Sequence, residues 1–190
     1  SLINKNNSLL FKYSNDYRLV CSHKKYNIWE VKNINDYYPV CQYVTKNKNP
    51  PKNPALLIKS DDYNRPIAYE LIAITEDKFK IYNIICSNNY ISLGHIFSKS
   101  MPSVHQYRTL HKNYVNLSYI NKKIYEKQSV SKNTDLGYNI WTIGQYNYFK
   151  TTNLKNSSIP KKSVYEINEH KLKVDENILI KHTNKYNKIL

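Results

Sequence analysis

Three four-residue words constrain this chain more than any other feature. Each consists of an aromatic, a variable residue, an isoleucine and a second aromatic: Tyr26-Asn27-Ile28-Trp29, Phe79-Lys80-Ile81-Tyr82 and Tyr138-Asn139-Ile140-Trp141. A recurrence of roughly 55 residues is the period of a supersecondary unit, too long for a helical or heptad pattern. The match extends outward from each word. Eight residues after the second aromatic comes another, Tyr37, Tyr90 and Phe149. The first two units then place an apolar and a small residue, Val40-Cys41 and Leu93-Gly94. A proline-bearing loop follows in each unit (Pro50, Pro51 and Pro54; Pro102; Pro160), and then an apolar run: Ala55 to Ile58, Val104 to Leu110, Val164 to Ile167. Upstream, Tyr17-Arg18-Leu19-Val20 matches Tyr69-Glu70-Leu71-Ile72. Shared offsets of this kind predict a threefold internal repeat over residues 11–60, 61–115 and 116–168.

Short segments rich in Tyr, Ile, Val and Thr, bounded by Asn, Asp, Ser and Pro, read as strands. No segment holds a helical apolar period for three turns. The expected fold is therefore all-β, with about four antiparallel strands per unit; in the first unit these are Tyr17–Cys21, Tyr26–Val31, Tyr37–Thr45 and Ala55–Lys59. Three sheets that bury one face each against a common axis make a β-prism-like domain. Trp29, Tyr82 and Trp141 would then meet near that axis or at equivalent corners. Residues 1–10 are expected to be a frayed N-terminus and 184–190 a frayed end, with a long loop from Glu126 to Leu136. The C-terminal extension 169–190 reads as a hairpin turning at Asp175-Glu176-Asn177, with a short helix as the alternative.

The word Ile-Trp, an aromatic eight residues on, a hydrophobic-Gly step and a proline loop together resemble the β-prism-like domain of the vacuolar-protein-sorting-associated protein sixty-two family. Related domains occur in plant bridge-like lipid-transfer proteins. The nearest segments are Tyr90-Ile91-Ser92-Leu93-Gly94-His95 and Ile140-Trp141-Thr142-Ile143-Gly144. The chain departs from the family pattern at Trp29-Glu30-Val31, at Tyr82 in place of Trp, and at His95 in place of Asp. Asp36 and Asn89 replace a glycine, and both residue types tolerate left-handed turns. The resemblance implies a non-enzymatic module of membrane trafficking or lipid transfer, belonging to a longer protein.

Charge narrows the choice of partner. With 29 Lys and Arg against 14 Asp and Glu in 190 residues, the net charge is +15, and such a surface favours an anionic partner. The loops after the third strand of each unit carry Lys46, Lys48, Lys52, Lys99, Lys150, Lys155, Lys161 and Lys162 and no acid. Threefold symmetry would bring them to one end, where each lysine near an anionic leaflet gains about 1 kcal/mol. Met101 and Ile159 at the loop tips would add shallow insertion. An Asn-, Lys-, Ile- and Tyr-rich chain, as AT-rich genomes encode, would also put lysines in any exposed loop, so the membrane-facing reading and that one both stand.

Other functions find less support. The 19 tyrosines could stack nucleobases, but their repeat-equivalent positions suit core packing, and nucleic acid is disfavoured. With only 3 glycines neither a phosphate-cradling loop nor a dinucleotide fingerprint can be written. His105 and His111 lack a third metal ligand at useful spacing, and no nucleophile elbow or carboxylate pair stands out. No catalytic residue, metal or cofactor is expected. A lectin-like carbohydrate-binding prism and a purely protein-interacting one remain the alternatives. Cys21, Cys41 and Cys86 are odd in number and widely spaced, which suggests free thiols of a reducing compartment. No apolar run reaches the length of a bilayer span. A cytoplasmic module, peripheral to membranes, is the expectation.

Overall fold

The computed structural model describes residues 10–127, 137–153 and 163–189. Its elements run β1 (Phe11–Ser14), β2 (Tyr17–Ser22), β3 (Asn27–Val31), β4 (Tyr37–Pro39), β5 (Tyr43–Thr45) and β6 (Ala55–Lys59). There follow β7 (Ala68–Ile74), β8 (Lys80–Ile85), β9 (Tyr90–Ile91), β10 (Ile96–Ser98) and β11 (Leu110–His111). After a single 3-10 turn at Lys112–Tyr114 come β12 (Val115–Leu117), β13 (Ile120–Lys127), β14 (Tyr138–Ile143), β15 (Phe149–Asn153) and β16 (Tyr165–Ile167). One helix, α1 (Glu169–Ile189), closes the described chain. The protein is mostly β, in small antiparallel sheets.

Three of these sheets are three-stranded antiparallel meanders, β2-β3-β5, β7-β8-β10 and β13-β14-β15. Each word lies on or just before a middle strand. Opposite the words the first strands bulge alike: the register shifts between Leu19 and Cys21, between Leu71 and Ala73, and between Lys123 and Tyr125. A bulge adds local right-handed twist, which curls each small sheet. The sheets have three strands rather than the expected four or so. The predicted strand Tyr37–Thr45 splits at Val40-Cys41-Gln42, sending β4 to a different sheet from β5.

Strand alternation decides which word residues meet. The first aromatic and the isoleucine share one face of the middle strand. Ile28, Ile81 and Ile140 are all fully buried in one cluster with Tyr26, Tyr138, Val44, Phe97 and Phe149, and Phe79 packs against it. The second aromatics occupy the other face and do not gather: Trp29 packs in a second cluster and Tyr82 in a third. Of the two places expected for Trp29, Tyr82 and Trp141, a common meeting point is thus corrected, since the three isoleucines and not the second aromatics share one cluster. The indoles are instead tied within their own sheets, Trp29 Nε1 donating to Thr45 Oγ1 at 2.8 Å and Trp141 Nε1 to Thr152 Oγ1 at 3.1 Å.

The third strands stitch the three sheets together. Gln42 grips the Phe97 backbone at both ends, Nε2 donating to the carbonyl at 3.0 Å and Oε1 accepting the amide at 2.7 Å. His95 Nδ1 accepts the Thr151 amide at 2.8 Å, and Asn147 accepts the Val44 amide through its carbonyl at 2.8 Å. Val44, Phe97 and Thr151 hold the same register, opposite the three word isoleucines. Phe149 therefore does not continue the Tyr37 and Tyr90 series: it pairs with Thr142 on a third strand, while Tyr37 and Tyr90 begin β4 and β9. Gly94 fits this stitching, because a Cβ there would lie 2.7 Å from the Phe149 carbonyl oxygen.

The remaining strands form a second tier, β1-β6-β4, β9 with β11, and β12 with β16. Of the expected strand Val104 to Leu110 only Leu110 pairs, with Ile91. Before Tyr37 and Tyr90 the left-handed residues are Asn35 and Asn89, so Asn35 rather than Asp36 takes the turn in the first unit. Residues 169–189 are helical rather than a hairpin, and 184–189 belong to that helix rather than to a frayed end. Asn168 caps it, its Oδ1 accepting the Lys171 amide at 3.1 Å, and Leu172 plugs fully into the core. The loop expected at 126–136 lies outside the described residues except for Glu126 and Lys127, which end β13.

Candidate basic surface at one end of the sheets

In a three-stranded meander the first turn and the exit from the third strand lie at the same end. Register shows this in each sheet: Asn27 pairs with both Ser22 and Thr45, Lys80 with Ile74 and Ser98, and Tyr138 with Lys127 and Asn153. The three ends meet at Glu76. Its carboxylate receives His23 Nε2 from the turn of the first meander, Tyr138 Oη at 3.0 Å from the third, and Lys127 Nζ at 3.0 Å from the same sheet. Tyr26 and Tyr138 continue the network inward through a hydroxyl–hydroxyl bond of 2.7 Å. Burial pushes the Glu76 carboxyl up, but the bonds from Lys127, its own backbone and Tyr138 outweigh this, and its pKa falls below the ordinary value.

Around this hub the turns and strand exits expose Lys24, Lys25, Lys46, Lys48, Lys78 and Lys99. Among the described residues three acids share the end, Glu76, Asp77 and Glu126; the first is committed as described and the last pairs with Lys123 at 2.9 Å. Lys99 lies 4.3 Å over the Phe79 ring and donates to the Asp77 carbonyl at 3.3 Å. Asn27 Nδ2 and Thr45 Oγ1 both donate to the Asn47 carbonyl, at 2.7 and 2.9 Å, which fixes the stem of the loop bearing Lys46 and Lys48.

Of the eight lysines singled out by sequence, Lys46, Lys48 and Lys99 sit together at this end. Lys52 leaves it. It precedes Asn53, whose carbonyl accepts Tyr17 Oη at 2.7 Å, and Tyr17 lies at the far end of β2. Lys150 is a strand residue opposite Trp141 on β15, not a loop residue. Lys155, Lys161 and Lys162, and with them Ile159, lie outside the described residues. Met101 is exposed. Sequence reasoning missed Lys24, Lys25 and Lys78, together with the acids beside them, because it compared loops within the repeat and not the ends that an antiparallel meander brings together.

Among the described residues no group of three His, Cys, Asp or Glu could hold a metal. Cys21, Cys41 and Cys86 are free thiols. Burial pushes the Cys21 and Cys41 thiols up to about 12, out of the reactive range. Among the described residues no helix is long and apolar enough to cross a membrane.

No family model and no curated protein matches the chain, so the resemblance to the vacuolar-sorting family rests on its residues alone. Among solved structures the chain is similar to GNIP1Aa from Chromobacterium piscinae. The TM-score is 0.61 at 12% identity, over 87% of this chain and 35% of that one. At that identity the likeness concerns the fold. The chain spans about a third of the length of GNIP1Aa.

Proposed function

We propose that this protein is a non-enzymatic binding module, a threefold β-prism-like domain that holds a larger protein against an anionic membrane surface through the turn end of its meanders. Three observations support the prism: the shared bulges, the single isoleucine cluster, and the three equivalent links among the third strands. The observation that carries the membrane reading is the grouping of Lys24, Lys25, Lys46, Lys48, Lys78 and Lys99 around the one shared carboxylate of Glu76. Attraction of this kind needs no pocket. It sums over the lysines at roughly 1 kcal/mol each, and salt screens it beyond roughly 8 Å. A role in trafficking or lipid transfer, as the family resemblance implies, would use this attachment.

Vesicle sedimentation tests the reading. The domain should pellet with phosphatidylserine or phosphoinositide vesicles more than with neutral ones, and less as salt rises. Reversing Lys24, Lys25, Lys46 and Lys48 to Glu should abolish the difference while the circular dichroism spectrum stays unchanged. Equal pelleting with both vesicle types, or with neither, would overturn the membrane reading and favour a protein partner.

A further inference from the structure

A second site lies at the opposite end of the molecule, and its chemistry is the reverse of the basic end. A cavity of about 650 Å³ opens between the first meander, the β14–β15 turn and the start of α1, within the size range of small-molecule sites. Tyr13, Tyr43, Tyr146 and Tyr148 wall it, and Glu166 and Glu169 supply carboxylates. Its one ammonium group, Lys173, stands 3.9 Å from Glu169, a loose and exposed ion pair. Two carboxylates among four tyrosines stand out in a chain of net charge +15. Ring faces carry negative potential and attract cations, most strongly where water is excluded.

The tyrosine hydroxyls register the same field. Burial, then the charge of Glu169, raises the pKa of Tyr13 to about 12, and burial with Glu169 and Glu166 raises that of Tyr146. Tyr146 stacks on Tyr148 with ring centroids 5.0 Å apart. The Tyr148 residue is fully buried, and its hydroxyl has no hydrogen-bond partner among the described residues. The Ile167 amide approaches that oxygen closely enough to favour its ionised form, but without the geometry of a hydrogen bond. With no accessible surface, that hydroxyl backs the wall and does not face the cavity.

We infer that this cavity binds a choline-type quaternary ammonium, with the cation among the tyrosine rings and the Glu166 and Glu169 carboxylates. A quaternary nitrogen spreads its charge over methyl groups that pack against ring faces, and the two carboxylates balance that charge. The inference does not rest on the basic end, which lies on the other side of the sheets.

Calorimetric titration of the full chain with choline and with phosphocholine tests it. Saturable binding is expected, with sodium chloride at equal concentration giving none. Glu169→Gln, at a side chain 46% exposed, should weaken it roughly tenfold by removing one charge beside the rings. Adding Glu166→Gln should abolish it, and the four lysine reversals should leave it unchanged. Sedimentation with neutral phosphatidylcholine vesicles separates the sources. Binding that Glu169→Gln removes assigns the site to the lipid headgroup, and choline binding without pelleting assigns it to the free compound. No saturable binding of either compound, or binding that survives both carboxamide changes, would overturn the site.

Discussion

Ile140 and Trp141 are neighbours on one strand, and each is held by different physics. Ile140 is fully buried in the central cluster, where dense packing and loss of water contact give its stabilisation. Trp141 faces the other way, 9% exposed, with its N–H on Thr152 and Lys123 Nζ 5.5 Å from its ring. Ile140→Ala should cost about 2–5 kcal/mol and Trp141→Ala about 3–5 kcal/mol in urea unfolding. Thr152→Val removes the bond from Trp141 and a long one from Asn139 at 3.5 Å, and should cost only about 1 kcal/mol. A Thr152→Val cost as large as that of Trp141→Ala would mean that the indole owes its place to the bond rather than to packing. The words themselves were legible in the sequence. Their sidedness was readable too, since alternation puts positions one and three of each word on one face and the invariant isoleucine marks it as core. Aromatic bulk drew attention to the wrong face. The cross-sheet role of Gln42 and His95 carried no such signal, because a side chain that bonds another sheet's backbone follows no local period.

Among elements, the strands were legible and the helix was not. β3, β8 and β14 announce themselves by β-branched and aromatic residues in alternation. In α1, Leu172 and Val174 also alternate with lysines, and Asp175-Glu176-Asn177 has the composition of a turn. The competing signals were the Asn168 cap and the charge pairs four residues apart, Lys171 with Asp175 at 3.2 Å and Lys173 with Glu169. Pairs of that kind contribute only about 0.2–0.5 kcal/mol each, so Leu172 and the cap must do most of the anchoring. Tyr114 adds a tie from outside, its hydroxyl donating to Asp175 Oδ2 at 2.9 Å. Asn168→Ala should lower stability by about 1 kcal/mol and reduce helical circular dichroism, and Asn168→Asp, which keeps the capping oxygen, should restore both. Equal loss with Asp would assign the effect to the Asn168 side-chain contact with Asn116 instead.

At the scale of the whole molecule, Glu76 joins all three meanders; His23, Glu76 and Asp135 each stand three residues before a word, but only the antiparallel register shows that the turn ends meet. Half of the site was legible: the loop lysines were found by counting, whereas the turn lysines needed the antiparallel register. The hub also makes stability depend on pH in a definite direction. The pKa of Glu76 is lowered on folding from 4.5, so the folded state binds its proton less readily than the unfolded chain does. Its contribution is therefore fully present above the unfolded value and is lost as pH falls through the folded one. Protonation removes the charge that His23 and Lys127 face across the sheet ends, so those ends should loosen as the acid limb is descended. Glu76→Gln keeps the shape and deletes the titration. The variant should be less stable than the parent at neutral pH, and its midpoint in urea should fall less steeply below pH 4.5. Unfolding curves collected from neutral pH downward decide it: parallel losses in parent and variant would show that other carboxylates govern acid unfolding and that Glu76 is not the joint between the sheets.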